Sequence, residues 1–132
     1  MQSSFKIKLR IRATISPTED KVKVLQAARN IIGECACSLE EGDGEVTILS
    51  EDVSCLQRVH DQLRDRHVRD AARRLILRQR TGGKVNMLFN RQAAFAGVIA
   101  LCTSEMESPL GSIAVEIECD RSDELIDWFT AH

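Results

Sequence analysis

Phe5-Lys6-Ile7-Lys8-Leu9-Arg10-Ile11-Arg12-Ala13-Thr14-Ile15 alternates apolar and polar residues without a fault. Phe5, Ile7, Leu9, Ile11, Ala13 and Ile15 fall on one side; Lys6, Lys8, Arg10, Arg12 and Thr14 fall on the other. A period of two sends successive side chains to opposite faces, so this stretch predicts a long strand with one buried and one cationic face. The apolar face needs a layer packed on it, and the next residues predict one. Ser16-Pro17-Thr18-Glu19 offers an N-cap, a proline at the first helical position and the glutamate of a capping box. The predicted helix runs to about Ile32, buries Val22, Leu25, Ala28 and Ile32, and stops at Gly33.

Further along, Cys35–Glu40 and Glu45–Leu49 read as short strands around Gly42-Asp43-Gly44. Asp52 caps a helical stretch carrying Leu56, Val59 and Leu63, which resumes through Val68, Ala71, Ala72, Leu75 and Ile76 and ends at Thr81-Gly82-Gly83. Lys84–Asn90 and Phe95–Cys102 read as a strand pair, the second apolar on both faces and so either central or an oligomer contact. Ser112–Cys119 alternates cleanly, with Glu116 and Glu118 outward, and Ser122 caps a last helix burying Leu125, Ile126, Trp128 and Phe129. The order βα–ββ–αα–βββ–α has no regular strand–helix alternation, which excludes a parallel α/β sheet. It predicts an α+β two-layer sandwich, a mainly antiparallel sheet with helices on one face.

The 132 residues are read as a single α+β domain over 1–132, long enough for a real core. No segment is apolar enough to span a membrane, and the alternating start lacks the apolar region of a signal peptide, so the expectation is a cytoplasmic protein. Five cysteines (Cys35, Cys37, Cys55, Cys102 and Cys119) are an odd count and read as reduced thiols. Cys35 and Cys37 lack a second pair at zinc spacing, so neither a structural metal nor any other cofactor is expected. No serine or cysteine sits in a nucleophile elbow, and Thr81-Gly82-Gly83-Lys84 lacks the spacing of a phosphate loop.

The net charge of −2 hides blocks of one sign. Residues 1–12 hold four bases and no acid; residues 34–52 hold seven acids and no base; residues 58–91 hold ten bases against Asp61, Asp65 and Asp70; residues 105–127 hold eight acids against Arg121. Basic blocks create local fields that attract polyanions whatever the net charge. Lys6, Lys8, Arg10 and Arg12 recur at about 7 Å along a strand, twice the rise per residue and close to phosphate spacing. If Ser112–Cys119 pairs beside this strand, Glu116 and Glu118 lie among those cations instead. In the helical block Arg66, Arg69, Arg73 and Arg80 form one stripe. Arginine grips phosphate with two parallel hydrogen bonds where lysine acts as a point charge. Arg91 and Gln92, after a strand, are candidates for phosphate or base edges. Phe95 reads as core through its register with Ile99 and Leu101. Tyrosine is absent and aromatics are few, which argues against stacking on single strands and for structured RNA.

Pro17-Thr18-Glu19-Asp20, Arg69-Asp70-Ala71-Ala72-Arg73, Asn90-Arg91-Gln92-Ala93-Ala94-Phe95 and Ser108-Pro109-Leu110-Gly111, with the Ile126-Asp127-Trp128 ending, resemble an archaeal family, uncharacterised protein family 0201, whose members are labelled predicted RNA-binding. The resemblance covers nearly the whole chain. It departs at Arg91, where the family usually has lysine. It implies a fold like that of the ribosomal protein that binds five-S ribosomal RNA, and RNA binding without catalytic residues. The sequence therefore reads as a non-enzymatic protein contacting structured or double-stranded RNA through phosphate and shape. A homodimeric interaction module is the first alternative, and a small metal-dependent phosphotransfer or hydrolytic enzyme the second.

Overall fold

The computed structural model describes residues 6–33, 35–42, 44–65, 69–102 and 111–130. The opening strand, β1 (Ile7–Thr14), alternates buried and exposed residues along its length. It is followed by α1 (Lys21–Ile32), β2 (Ser38–Gly42), β3 (Glu45–Ser50), a 3-10 turn at Val53–Leu56, α2 (Gln57–Asp65), α3 (Arg69–Gln79), β4 (Lys84–Asn90), α4 (Arg91–Phe95), β5 (Ser112–Cys119) and α5 (Ser122–Thr130). The sheet order is β2-β3-β1-β5-β4, with every pairing antiparallel. The long alternating strand is therefore the middle strand, flanked by β3 and β5.

The inner face carries Leu9 and Ile11 of β1, Ile48 of β3, Ile113 and Ile117 of β5, and Met87 and Phe89 of β4, all buried. Ile31 of α1, Leu63 of α2, Ile76 of α3 and Phe129 of α5 close over them in one core. This is the α+β two-layer arrangement expected from the pattern. Each fully buried side chain of this size contributes ~1.5–3 kcal/mol relative to exposure.

Several local expectations are corrected. Ser16 does not cap α1. Asp20 does, its carboxylate accepting from the Val22 N–H at 2.9 Å. Ser16 and Glu19 instead close a turn one step earlier, the Ser16 N–H donating to the Glu19 carboxylate at 2.8 Å. The later start rotates the buried face to Val24, Ala27, Ala28, Ile31 and Ile32 and leaves Val22 exposed. Gly33 ends the helix as expected, with φ 67°, a left-handed conformation that favours glycine. Phe95–Cys102 is not a strand. Asn90 caps α4 through the Ala93 N–H, and only Leu101 later bridges to Phe89 at the edge of β4. The asparagine cap and an alanine pair won over the apolar run. Phe95, expected in the core, is half exposed.

The cysteines are not all free thiols. Cys35 and Cys55 form a disulfide, tying the segment before β2 to the 3-10 turn. Cys37 is exposed, and Cys102 and Cys119 are buried. The two partners lie 20 residues apart, and their Cα atoms come within 5.6 Å only once the β2–β3 hairpin has folded between them, so sequence spacing gave no warning.

Candidate nucleic-acid interface

No described element covers the outer face of the sheet. Along its middle strand Lys8, Arg10 and Arg12 are exposed, with Lys6 exposed just before β1. The register puts Lys8 opposite Glu118 and Arg10 opposite Glu116 on β5, as the conditional expectation required, while Arg12 faces Ala114 on β5 and Thr47 on β3. These carboxylates dilute the charge, and Glu51 beside Lys6 and Lys8 and Glu45 beside Arg12 add to them. Arg10 Nη1 and Lys84 Nζ share Glu116 Oε1 at 3.9 and 3.8 Å. Contacts that long between solvated side chains are worth ~0–1 kcal/mol. The guanidinium of Arg10, 52% exposed, is therefore available to a phosphate. A hollow of about 550 Å³ beside it is bordered by Lys8, Arg10, Cys37, Ser38, Glu51 and Glu116.

The arginine stripe divides. Arg66 lies outside the described residues, and Arg69 is the first residue of α3. Arg73 donates to the Asp127 carboxylate at 2.7 Å and to the Thr130 hydroxyl at 3.1 Å, both on α5. Arg80 is paired with Asp123, one helical turn before Asp127. Two members of the expected stripe, one on α3 and one just after it, thus pair with α5. Arg74 and Arg78, one turn apart on α3, are exposed and form no ion pair among the described residues.

Arg91 is an interior residue. Its side chain is 4% exposed, and Nη1 donates to both carboxylate oxygens of Glu19, at 2.8 and 2.9 Å, and to the Thr14 carbonyl at 2.7 Å. Nη2 donates to the Ser112 carbonyl. A guanidinium spent on interior acceptors has no face for phosphate, so Arg91 is withdrawn from the candidate contacts. Burial pushes the Glu19 carboxyl up, but the Ser16 N–H and the Arg91 guanidinium outweigh it and hold the group below its ordinary value. Gly111 stands against this pair: with φ 92°, it would put any Cβ 3.7 Å from Arg91 Nη2. Above the pair, Thr18, Asp20, Lys23, Gln92 and Phe95 border a second cleft of about 420 Å³. Gln92 is exposed there.

Among the described residues no three histidine, cysteine or acidic side chains converge as a metal site. His60 is packed flat on Trp128, ring centroids 4.5 Å apart, and its Nδ1 lies 3.0 Å from Asp61. The hydrogen bond from His60 holds the Asp61 carboxyl below its ordinary value. No described helix is long and apolar enough to cross a membrane.

The fold is shared with known proteins. A family model described as RNA binding matches residues 8–119. A UPF0201 protein of Sulfurisphaera tokodaii is 39% identical over 126 residues, spanning 93% of this chain and 86% of that protein. The chain belongs to the UPF0201 family. A UPF0201 protein of Aeropyrum pernix is 32% identical, covering 93% of this chain and 84% of its own. Among solved structures, a UPF0201 protein superposes with a TM-score of 0.80 at 30% identity, covering 95% of this chain and 94% of that one. The UPF0201 protein of Methanococcus jannaschii gives 0.77 at 28% identity, covering 93% and 98%.

The UPF0201 motifs named above acquire a physical meaning in this structure. Glu19, Arg91 and Gly111 come from three of them and meet in the buried ion pair. Arg73 and Asp127 come from the other two and meet between α3 and α5. Five residues of these motifs thus take part in contacts that hold elements together.

Proposed function

We propose that the chain binds structured RNA without catalysis, as a single domain over residues 1–132, through the outer face of its sheet. Lys6, Lys8, Arg10 and Arg12 make the phosphate contacts in this reading, with Lys84 beside them. The observation that carries it is the exposure of the alternate cations along the middle strand of an uncovered sheet, in a chain whose family model is described as RNA binding. A rigid strand holds charges at fixed intervals, which suits a phosphate backbone and leaves sequence unread. Arg66 and Arg69 add further phosphate contacts in this proposal. Arg73 and Arg80 contribute less than the sequence pattern suggests, because α5 already engages them. The expected kinship with the ribosomal protein that binds five-S ribosomal RNA, and a cytoplasmic location, belong to the same reading.

Measuring the affinity for an RNA duplex across a salt series tests it. The reading expects affinity that falls steeply with salt and differs little between duplex sequences. Absence of binding at low salt contradicts it. A second reading, self-association, is favoured by exposed Leu77, Phe95 and Val98. Light scattering then shows a dimer while RNA affinity is missing.

A further inference from the structure

Among the described residues, Phe95 is the aromatic side chain that the core does not explain. Phe89 and Phe129 are fully buried, and Trp128 is stacked on His60. Phe95 is 48% exposed, although burying a phenylalanine stabilises a fold by ~1.5–3 kcal/mol. It is not on a loose segment. Asn30 on α1 donates to the Ala94 carbonyl at 2.9 Å and to the Phe95 carbonyl at 3.2 Å. Arg58 and Gln62 on α2 donate to the Gly97 carbonyl at 3.1 and 3.0 Å. Polar side chains from two helices therefore clamp the backbone on which an exposed ring is mounted.

The ring walls the cleft of about 420 Å³ whose floor is the Glu19–Arg91 pair. Clefts that bind small groups span ~300–1,000 Å³. The floor is already neutralised, so it does not ask for a charged ligand. The rim does have chemistry. Lys23 Nζ lies 6.0 Å from the centroid of the Phe95 ring, over its face, and is on an exposed side chain. Gln92 carries a donor and an acceptor on one amide, the pairing that reads a base edge. Asp20 is committed to the Val22 N–H. A preset aromatic face, an exposed amide and an exposed cation match the three parts of one nucleotide: base, base edge and phosphate. The cleft also adjoins the basic strand, since Arg91 in its floor donates to the carbonyl of Thr14, the last residue of β1.

We infer that this cleft takes one unpaired RNA base, stacked on Phe95, with its edge at Gln92 and the adjoining phosphate at Lys23. The inference rests on the RNA-binding reading above and deepens it: phosphate contacts on the sheet carry the bulk affinity, and the cleft selects RNA with a base free of its partner. One ring suits one base, which agrees with the lack of another exposed phenylalanine among the described residues.

The test compares two probes at one salt concentration, an RNA duplex and the same duplex with a single unpaired adenosine. The protein binds the bulged probe about tenfold more tightly, the factor expected of one base–aromatic stack. Phe95→Leu abolishes the preference while leaving affinity for the perfect duplex and the melting temperature unchanged. Phe95→Trp retains it. Equal affinity of the unaltered protein for both probes overturns the cleft and leaves the RNA reading standing. So does a preference that survives Phe95→Leu. A dimer that Phe95→Leu converts to monomer assigns the ring to self-association and overturns the inference. Failure to bind either probe overturns the RNA reading and the cleft together.

Discussion

Arg91 and Arg10 carry the same guanidinium and meet opposite fates. Arg91 is enclosed, with a buried carboxylate at 2.8 Å on Nη1 and the backbone carbonyls of Thr14 and Ser112 on Nη1 and Nη2. Arg10 is 52% exposed, with a shared carboxylate at 3.9 Å. The first charge is a structural part that joins α4, the end of β1, the start of β5 and the turn before α1. The second is a surface group free to exchange one weak partner for another. The difference teaches that a run of bases in a sequence becomes a binding surface only where the fold fails to supply interior acids. Arg73 and Arg80 are an intermediate case, engaged by exposed acids of α5, whereas Arg74 and Arg78 form no ion pair among the described residues.

The largest effect expected from this comparison is on stability. Glu19→Gln leaves a buried guanidinium without its counter-charge and costs about 3–5 kcal/mol in urea denaturation. Arg10→Gln costs less than about 1 kcal/mol. Equal costs would erase the distinction. Acid adds a second handle. The folded Glu19 carboxyl sits below its ordinary value of 4.5, so the folded state binds fewer protons there. Its contribution is complete above that pH and is lost as pH falls through the lower folded value. Glu19→Gln removes that part of the acid sensitivity, whereas Arg10→Gln leaves it intact.

The disulfide offers a change in stability that does not touch the basic strand. Cys35 and Cys55 close a loop with a sequence separation of 20, worth about 3 kcal/mol by loop entropy. Dithiothreitol should lower the urea midpoint accordingly and leave RNA affinity of the still-folded protein unaltered. An unchanged midpoint would show that the bridge does not form in solution.

The strands were the legible part of this fold. β1, β4 and β5 follow the period of two almost to the residue, and Glu116 and Glu118 lie beside the β1 cations, as expected should the two strands pair. Helix starts were less so, because Ser16-Pro17-Thr18-Glu19 satisfies a capping pattern while forming a separate turn. α4 was hidden by an apolar run that also suits a strand, and only Asn90 signalled a cap. The arginine stripe was legible as a helical face but not as an interface, since its partners Asp123 and Asp127 lie 43 and 54 residues away. The destination of Arg91 had one signal: it shares its motif set with an acid, Glu19, and a glycine, Gly111. Spatial convergence of that kind is invisible to periodicity.

The central claim is that the exposed cations of β1 contact RNA phosphate and the fastened ones do not. The salt dependence of duplex RNA affinity measures this most directly. Replacing Lys8, Arg10 and Arg12 together with glutamine should flatten the slope of log affinity against log salt by roughly 2–3 units. Replacing Arg73 and Arg80 with glutamine should change it by less than about one unit. A β1 variant with the slope of the unaltered protein, or an Arg73/Arg80 variant that loses the larger share, would contradict the account.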